Sequence, residues 1–168
     1  GTKRFIVHAR KALLKDLDPK QNRTIPPLQP ERVAKLKKER PNLIIEINGG
    51  LENPKDCLTA LKTFDGAMVG RAAYAHPLLW HQMDALVYGE KPQSINASGI
   101  IRKLIPHAEK HLSENGRLWE ISRHLLQIVE GVPGARVWRR ELTLKAQKPN
   151  ANLKVLEEAA RQLEEAGL

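Results

Sequence analysis

The chain has 168 residues, of which 41% are apolar and 28% charged, a globular composition that excludes disordered, collagen-like and disulfide-stapled classes. Lys and Arg number 28 against 19 Asp and Glu, a formal net charge of +9, so either the partner is a polyanion such as RNA or the excess simply keeps the surface solvated. No apolar run approaches the ~20 residues of a membrane span and no signal-peptide pattern opens the chain, which predicts a soluble, cytoplasmic protein of one domain or of one and part of a second.

The chain opens on Gly1, and residues 3–10 already read as an interior strand, which predicts a truncated chain. Three β-rich runs, at residues 5–8, 43–47 and 67–69, alternate with helical stretches at 30–40, 54–64 and about 72–88. Pro30 and Pro54 stand where a first-turn proline is tolerated. The pattern is that of three consecutive βα units and a parallel sheet. Parallel sheets survive buried on both faces and here at least one edge would lack its neighbour, which predicts further strands upstream. Three units followed by a tail fit the closing end of a (β/α)8 barrel, which needs roughly 250 residues.

From about Pro92 no strand is predicted. Leu118, Ile121, Leu125, Ile128 and Val129, then Leu153, Leu156, Ala160 and Leu163, keep helical spacing. Gly116 and the 131–134 segment punctuate it, and Pro106 either kinks or starts a helix. The predicted organisation is α/β: barrel-closing units over 1–91, then a small all-helical domain of about four helices over 92–168, with the linker near 89–98. Basic residues concentrate in two places. Residues 1–23 carry seven Lys or Arg against two Asp, net +5, and residues 101–148 carry ten against five, again net +5.

Asn48-Gly49-Gly50 follows an apolar run and precedes a helix, and Gly70-Arg71 repeats the arrangement one unit later. Glycines at such turns let backbone N–H groups approach a phosphate closely. Singly each is an ordinary turn; on consecutive units the pair points to phosphate binding. His8 ends the first strand, as a donor to a cofactor or as a structural histidine. His107 and His111 have i, i+4 spacing but no third ligand, and no metal site is predicted. If Pro133 starts a helix, Arg136, Arg139 and Arg140 share one face and Trp138 and Leu142 another. The arginines contact RNA phosphates, or they pair with Glu130 and Glu141. Cys57 reads as a small buried side chain.

Several strings together resemble the C-terminal portion of a tRNA-dihydrouridine synthase, most closely the A subfamily: His8-Ala9-Arg10-Lys11-Ala12, Asn22-Arg23 with Ile25-Pro26-Pro27-Leu28, Ile47-Asn48-Gly49-Gly50, Asp65-Gly66 with Met68-Val69-Gly70-Arg71, and Gly134-Ala135-Arg136 with Trp138-Arg139-Arg140. The resemblance implies a flavin-bearing TIM barrel followed by a helical tRNA-binding domain. Its activity would be the reduction of D-loop uridines to dihydrouridine, with FMN as cofactor and NADPH as electron source. It assigns FMN contacts to His8, Asn48, Gly49, Gly50, Gly70 and Arg71, and tRNA contacts to Lys20, Arg23, Arg136 and Arg139. The family's catalytic cysteine lies earlier in the barrel; Cys57 does not match it, so no catalytic residue is assigned here and this stretch alone is expected to be inactive. The implied protein is a cytoplasmic monomer. Two other readings are a non-catalytic RNA-binding module and a different FMN-dependent barrel oxidoreductase acting on a small molecule.

Overall fold

Strand β1 (Arg4–His8), helix α1 (Pro30–Glu39), β2 (Ile44–Asn48), α2 (Pro54–Ala60), β3 (Gly66–Met68) and α3 (Arg71–Ala75) follow one another in the first part of the chain. They are seen in a computed structural model, which describes residues 1–13 and 15–168. β2 lies between β1 and β3 and pairs in parallel with both. The α/β class and the parallel sheet expected from the sequence are present, and each strand lies within one residue of its β-rich run.

Local chemistry sets the helix ends. Asn53 and Asp56 form a reciprocal capping box, with the Asp56 N–H donating to Asn53 Oδ1 at 3.0 Å and the Asn53 N–H to Asp56 Oδ2 at 3.2 Å. Pro54 sits in the first turn behind them. The single helix expected over 72–88 is instead broken into α3, a tight turn over Pro77–Trp80 and α4 (Met83–Tyr88). Pro77 explains the break: it donates no N–H and disfavours helical backbone at His76, which has ψ 60°.

Alternation along the strands separates two faces of the sheet. Val7, Ile45, Ile47 and Ala67 pack with Ala9, Val33 and Phe64 in the core shared with the helices. On the other face Ile6, Ile44 and Met68 are 53%, 45% and 42% exposed. Glu46 is buried on that face, paired with Arg4. It lies across Gly66, where a Cβ would come within 2.7 Å of Glu46 Cγ.

Gly1–Ala73 with Met83–Glu90 form one compact unit, and Tyr74–Gln82 with Lys91–Leu168 a second. The segment 74–82, expected from the sequence to belong with the strands, falls in the second unit. That unit contains α5 (Ala97–Ser113), α6 (Leu118–Ser122), α7 (Ala135–Ala146) and α8 (Lys154–Glu165). Ile101, Leu118, Val129 and Leu156 are fully buried in its core. Trp138 is buried there too, and its Nε1–H donates to the Ala159 carbonyl at 3.1 Å. Pro106 lies inside α5 on its exposed side, where water can serve the carbonyl that proline leaves unbonded. α7 begins at Ala135, after Gly134 in left-handed backbone at φ 82°.

Candidate functional site

His8 and Asn48 are register partners at the C-terminal ends of β1 and β2, on the uncovered face of the sheet. The Ala9 N–H donates to the Asn48 carbonyl at 2.7 Å and the Gln29 N–H to the Ala9 carbonyl at 2.6 Å, tying the chain on either side of the β1–α1 loop to the sheet. The Arg10 N–H donates to His8 Nδ1 at 3.2 Å. Nδ1 therefore accepts, and the neutral ring carries its proton on Nε2, a donor for whatever approaches the sheet end.

Gly49 and Gly50 follow at φ 102° and 76°, left-handed backbone that favours glycine. A Cβ on Gly49 would stand 2.9 Å from His8 Cε1, so this glycine also makes room for the imidazole. Among the described residues the N–H groups of Gly49 and Gly50 make no hydrogen bond. Two free donors beside an exposed His8 and a half-buried Asn48 form a cradle suited to an anion or a polar ring edge. Gly70 differs: its backbone is not left-handed, and a Cβ there would meet nothing within 4 Å. Arg71 opens the five-residue α3, is exposed, and donates from Nη2 to the Arg23 carbonyl at 3.3 Å.

That contact joins Arg71 to the β1–α1 loop. Asn22 organises the loop: its Nδ2 donates to the carbonyls of Leu13 at 3.0 Å and Leu17 at 2.9 Å, and its Oδ1 accepts from the Leu13 N–H at 2.7 Å. Asp18 Oδ1 accepts from the N–H groups of Lys20 and Gln21 at 2.7 and 2.8 Å. From the other side the Arg10 guanidinium donates to the carbonyls of Thr24, at 3.3 Å, and Pro26. Arg10 Nε is buried without a partner among the described residues. The loop presents the exposed side chains of Lys20 and Arg23, and among the described residues no carboxylate pairs with either. In the sequence Asn22 and Arg10 stand out only as parts of the strings that carry the resemblance. The sequence signal for the work of Asn22 is the turn-forming Asp18-Pro19 beside it, residue types that bond nearby backbone, and no such signal marks Arg10.

In the second unit Trp138 and Leu142 point into the core, while Arg136 and Arg140 are exposed and Arg139 half-buried. Arg139 Nε donates to the Ala135 carbonyl at 3.3 Å. The carboxylates that could have neutralised these arginines are engaged elsewhere, Glu130 with His76 and Glu141 with Lys145. Cys57 is buried; burial first, and then the Asp56 charge, push its thiol above the ordinary value, so it stays protonated at neutral pH. His111 pairs with Glu120 at 2.7 Å, and among the described residues no three His, Cys, Asp or Glu gather as a metal site. No helix among them is long and apolar enough to cross a membrane.

A family model described as "Dihydrouridine synthase (Dus)" matches residues 1–164. The chain is similar to proteins named tRNA-dihydrouridine(20/20a) synthase. It is 43% identical to that of Shewanella oneidensis over 93% of this chain and 47% of the relative. Identity to the Escherichia coli K12 protein is 41% over 94% of this chain and 46% of the relative, and to the Yersinia pestis protein 44% over 92% and 45%. The chain spans about half the length of the curated relatives it matches.

Proposed function

The chain belongs to the dihydrouridine synthase family, and from that premise we propose that it is the C-terminal half of a tRNA-dihydrouridine synthase, an oxidoreductase that reduces D-loop uridines of tRNA. In this reading residues 1–91 are the closing units of a (β/α)8 barrel and residues 92–168 a helical tRNA-binding domain. Enzymes of this family are flavin-dependent; the flavin here is FMN, reduced by NADPH, and when bound it supplies the hydride.

The observation that carries the reading is the cradle at the sheet end: His8 and Asn48 in register, beside two left-handed glycines whose N–H groups are free. These residues fit a polar, phosphorylated ring cofactor. His8 Nε2 and the Asn48 side chain offer hydrogen bonds to its ring edge, Gly49 and Gly50 offer backbone donors, and Gly70 and Arg71 offer open space and a guanidinium for its phosphate. Lys20 and Arg23 on the braced loop, and Arg136 and Arg139 on α7, hold tRNA phosphates and so set which uridine is presented. A base stacked in folded tRNA must leave its stack to reach a barrel mouth, so rigid docking of the tRNA body decides the target. Cys57 is buried and takes no part, and the proton donor to the uracil lies outside these residues. The protein acts as a cytoplasmic monomer. A non-catalytic RNA-binding module would leave the cradle without a role, and a small-molecule oxidoreductase would leave the α7 arginines without one.

The test uses the full-length protein containing this chain. It is expected to purify with FMN and to form dihydrouridine in an unmodified tRNA transcript with NADPH, measured by mass spectrometry of the digested RNA. Absence of flavin, or flavin with no dihydrouridine formed, overturns the reading.

A further inference from the structure

Three residues of the second unit have no part in that reading. Tyr74, in α3, and Arg123 and His124, in the turn that follows α6, belong to the same compact unit. The Tyr74 hydroxyl and His124 Nδ1 are 3.0 Å apart, and the two rings meet edge to face with centroids 5.7 Å apart. Arg123 Nε donates to His124 Nε2 at 3.2 Å.

The protons in this chain have one consistent arrangement. Arginine Nε–H is always a donor, so His124 Nε2 accepts. The neutral imidazole then carries its proton on Nδ1 and donates it to the Tyr74 oxygen. The Tyr74 O–H is thereby turned away from the histidine, on a residue that is 56% exposed. Among the described residues Arg123 Nη1 and Nη2 have no partner, and Glu130, a few residues on, is held by His76. The cluster thus offers an outward hydroxyl donor, a guanidinium fork and half of an aromatic ring, with no acceptor of its own left to fill.

We infer that Tyr74 and Arg123, with His124 as a positioning residue, bind one phosphodiester of unpaired RNA, the Tyr74 ring taking the base next to it. Guanidinium forks match paired phosphate oxygens, and aromatic faces take unstacked bases without demanding a sequence. The net charge of +5 over residues 101–148 favours such a ligand. The inference rests on the reading that tRNA is the substrate and adds a contact to it.

The test measures binding of an unmodified tRNA transcript to the full-length holoenzyme at several salt concentrations, with the melting temperature as a fold control. Arg123→Ala should make the salt slope shallower by about 0.7–0.9, the value of one phosphate contact. Tyr74→Phe keeps the ring and removes the donor; it should weaken binding about fivefold with the slope unchanged. His124→Ala should behave like Tyr74→Phe, whereas His124→Asn, whose amide N–H replaces Nδ1–H, should restore most of the affinity. Wild-type affinity and slope in Tyr74→Phe and Arg123→Ala overturn the inference alone. A wild-type holoenzyme that retains flavin but does not bind the transcript overturns the tRNA reading, and the inference falls with it.

Discussion

Replacing Arg136 and Arg139 together by alanine in the full-length enzyme separates a nucleic-acid role for α7 from a structural one. If each arginine neutralises one tRNA phosphate, the double variant should have a salt slope shallower by about 1.4–1.8 and an affinity lower by about fortyfold near 0.1 M salt. The structure limits the effect on folding. Arg136 is exposed, the carboxylates of Glu130 and Glu141 are engaged with His76 and Lys145, and among the described residues the one side-chain bond lost is from Arg139 Nε to a carbonyl of its own helix. Alanine is also the better helix former, so stability should change by no more than about 0.5 kcal/mol. Filter binding of an unmodified tRNA transcript across a salt series, beside thermal melting, reads both quantities. An unchanged slope with a clearly lowered melting temperature would refute the reasoning, because it would mean that these arginines hold the helices together.

Three further outcomes follow from the geometry. Gly49→Ala adds a Cβ 2.9 Å from His8 Cε1 in backbone at φ 102°; the strain of about 1–2 kcal/mol should lower the flavin-to-protein absorbance ratio of the full-length enzyme, and full flavin occupancy would remove Gly49 from the cradle. Asp65 is held below the ordinary carboxylate range, first by its hydrogen bond with Lys37 and then by the Ile45 N–H that donates to it at 2.8 Å. A carboxyl lowered in the folded state adds stability that is complete above its unfolded pKa and is lost as pH falls through the folded value. Asp65→Asn should therefore cost about 1–2 kcal/mol at neutral pH, discounted for partial exposure, with the difference from wild type closing below about pH 4 in melting curves. Leu156, fully buried between helices, should cost about 2–5 kcal/mol when changed to alanine, seen as a lower denaturant midpoint; a loss under 1 kcal/mol would mean that the α5–α8 core is not packed as described.

What the sequence made legible was whatever follows from periodicity. β-rich runs next to amphipathic stretches placed β1, β2 and β3 within a residue, and i, i+3, i+4 spacing put Trp138 and Leu142 in the core and the arginines outside it. The failure at 72–88 has a local cause, since Pro77 breaks a run whose apolar residues otherwise suit a helix. Hydrogen bonds over longer separations left no periodic trace. Nothing in the spacing shows that Arg71 reaches the Arg23 carbonyl 48 residues away, or that Asn22 spans the loop from Leu13 to Leu17. The relay from Arg123 through His124 to Tyr74 joins segments 50 residues apart. These contacts depend on how the loops return, which composition does not encode.

The candidate cradle and the uncovered side of the sheet are the same surface, and this bears on how the site is built. On that face Arg4 and Glu46 form an ion pair at one end, Ile6 and Ile44 expose apolar surface near it, and His8 and Asn48 stand at the other end. A parallel sheet gains most of its stability when both faces are covered. Glu46 is already buried and paired, and its side chain fills the space that a Cβ on Gly66 would need. The ion pair therefore braces one end of the face independently of whatever covers the rest. His8 and Asn48, by contrast, are fixed from behind, through the Arg10 N–H on the imidazole and the Ala9 N–H on the Asn48 carbonyl. The His8 imidazole and the Asn48 backbone are thus held before the apolar middle of the face is covered, which lets the sheet end present a cradle while the rest of the face is given over to packing.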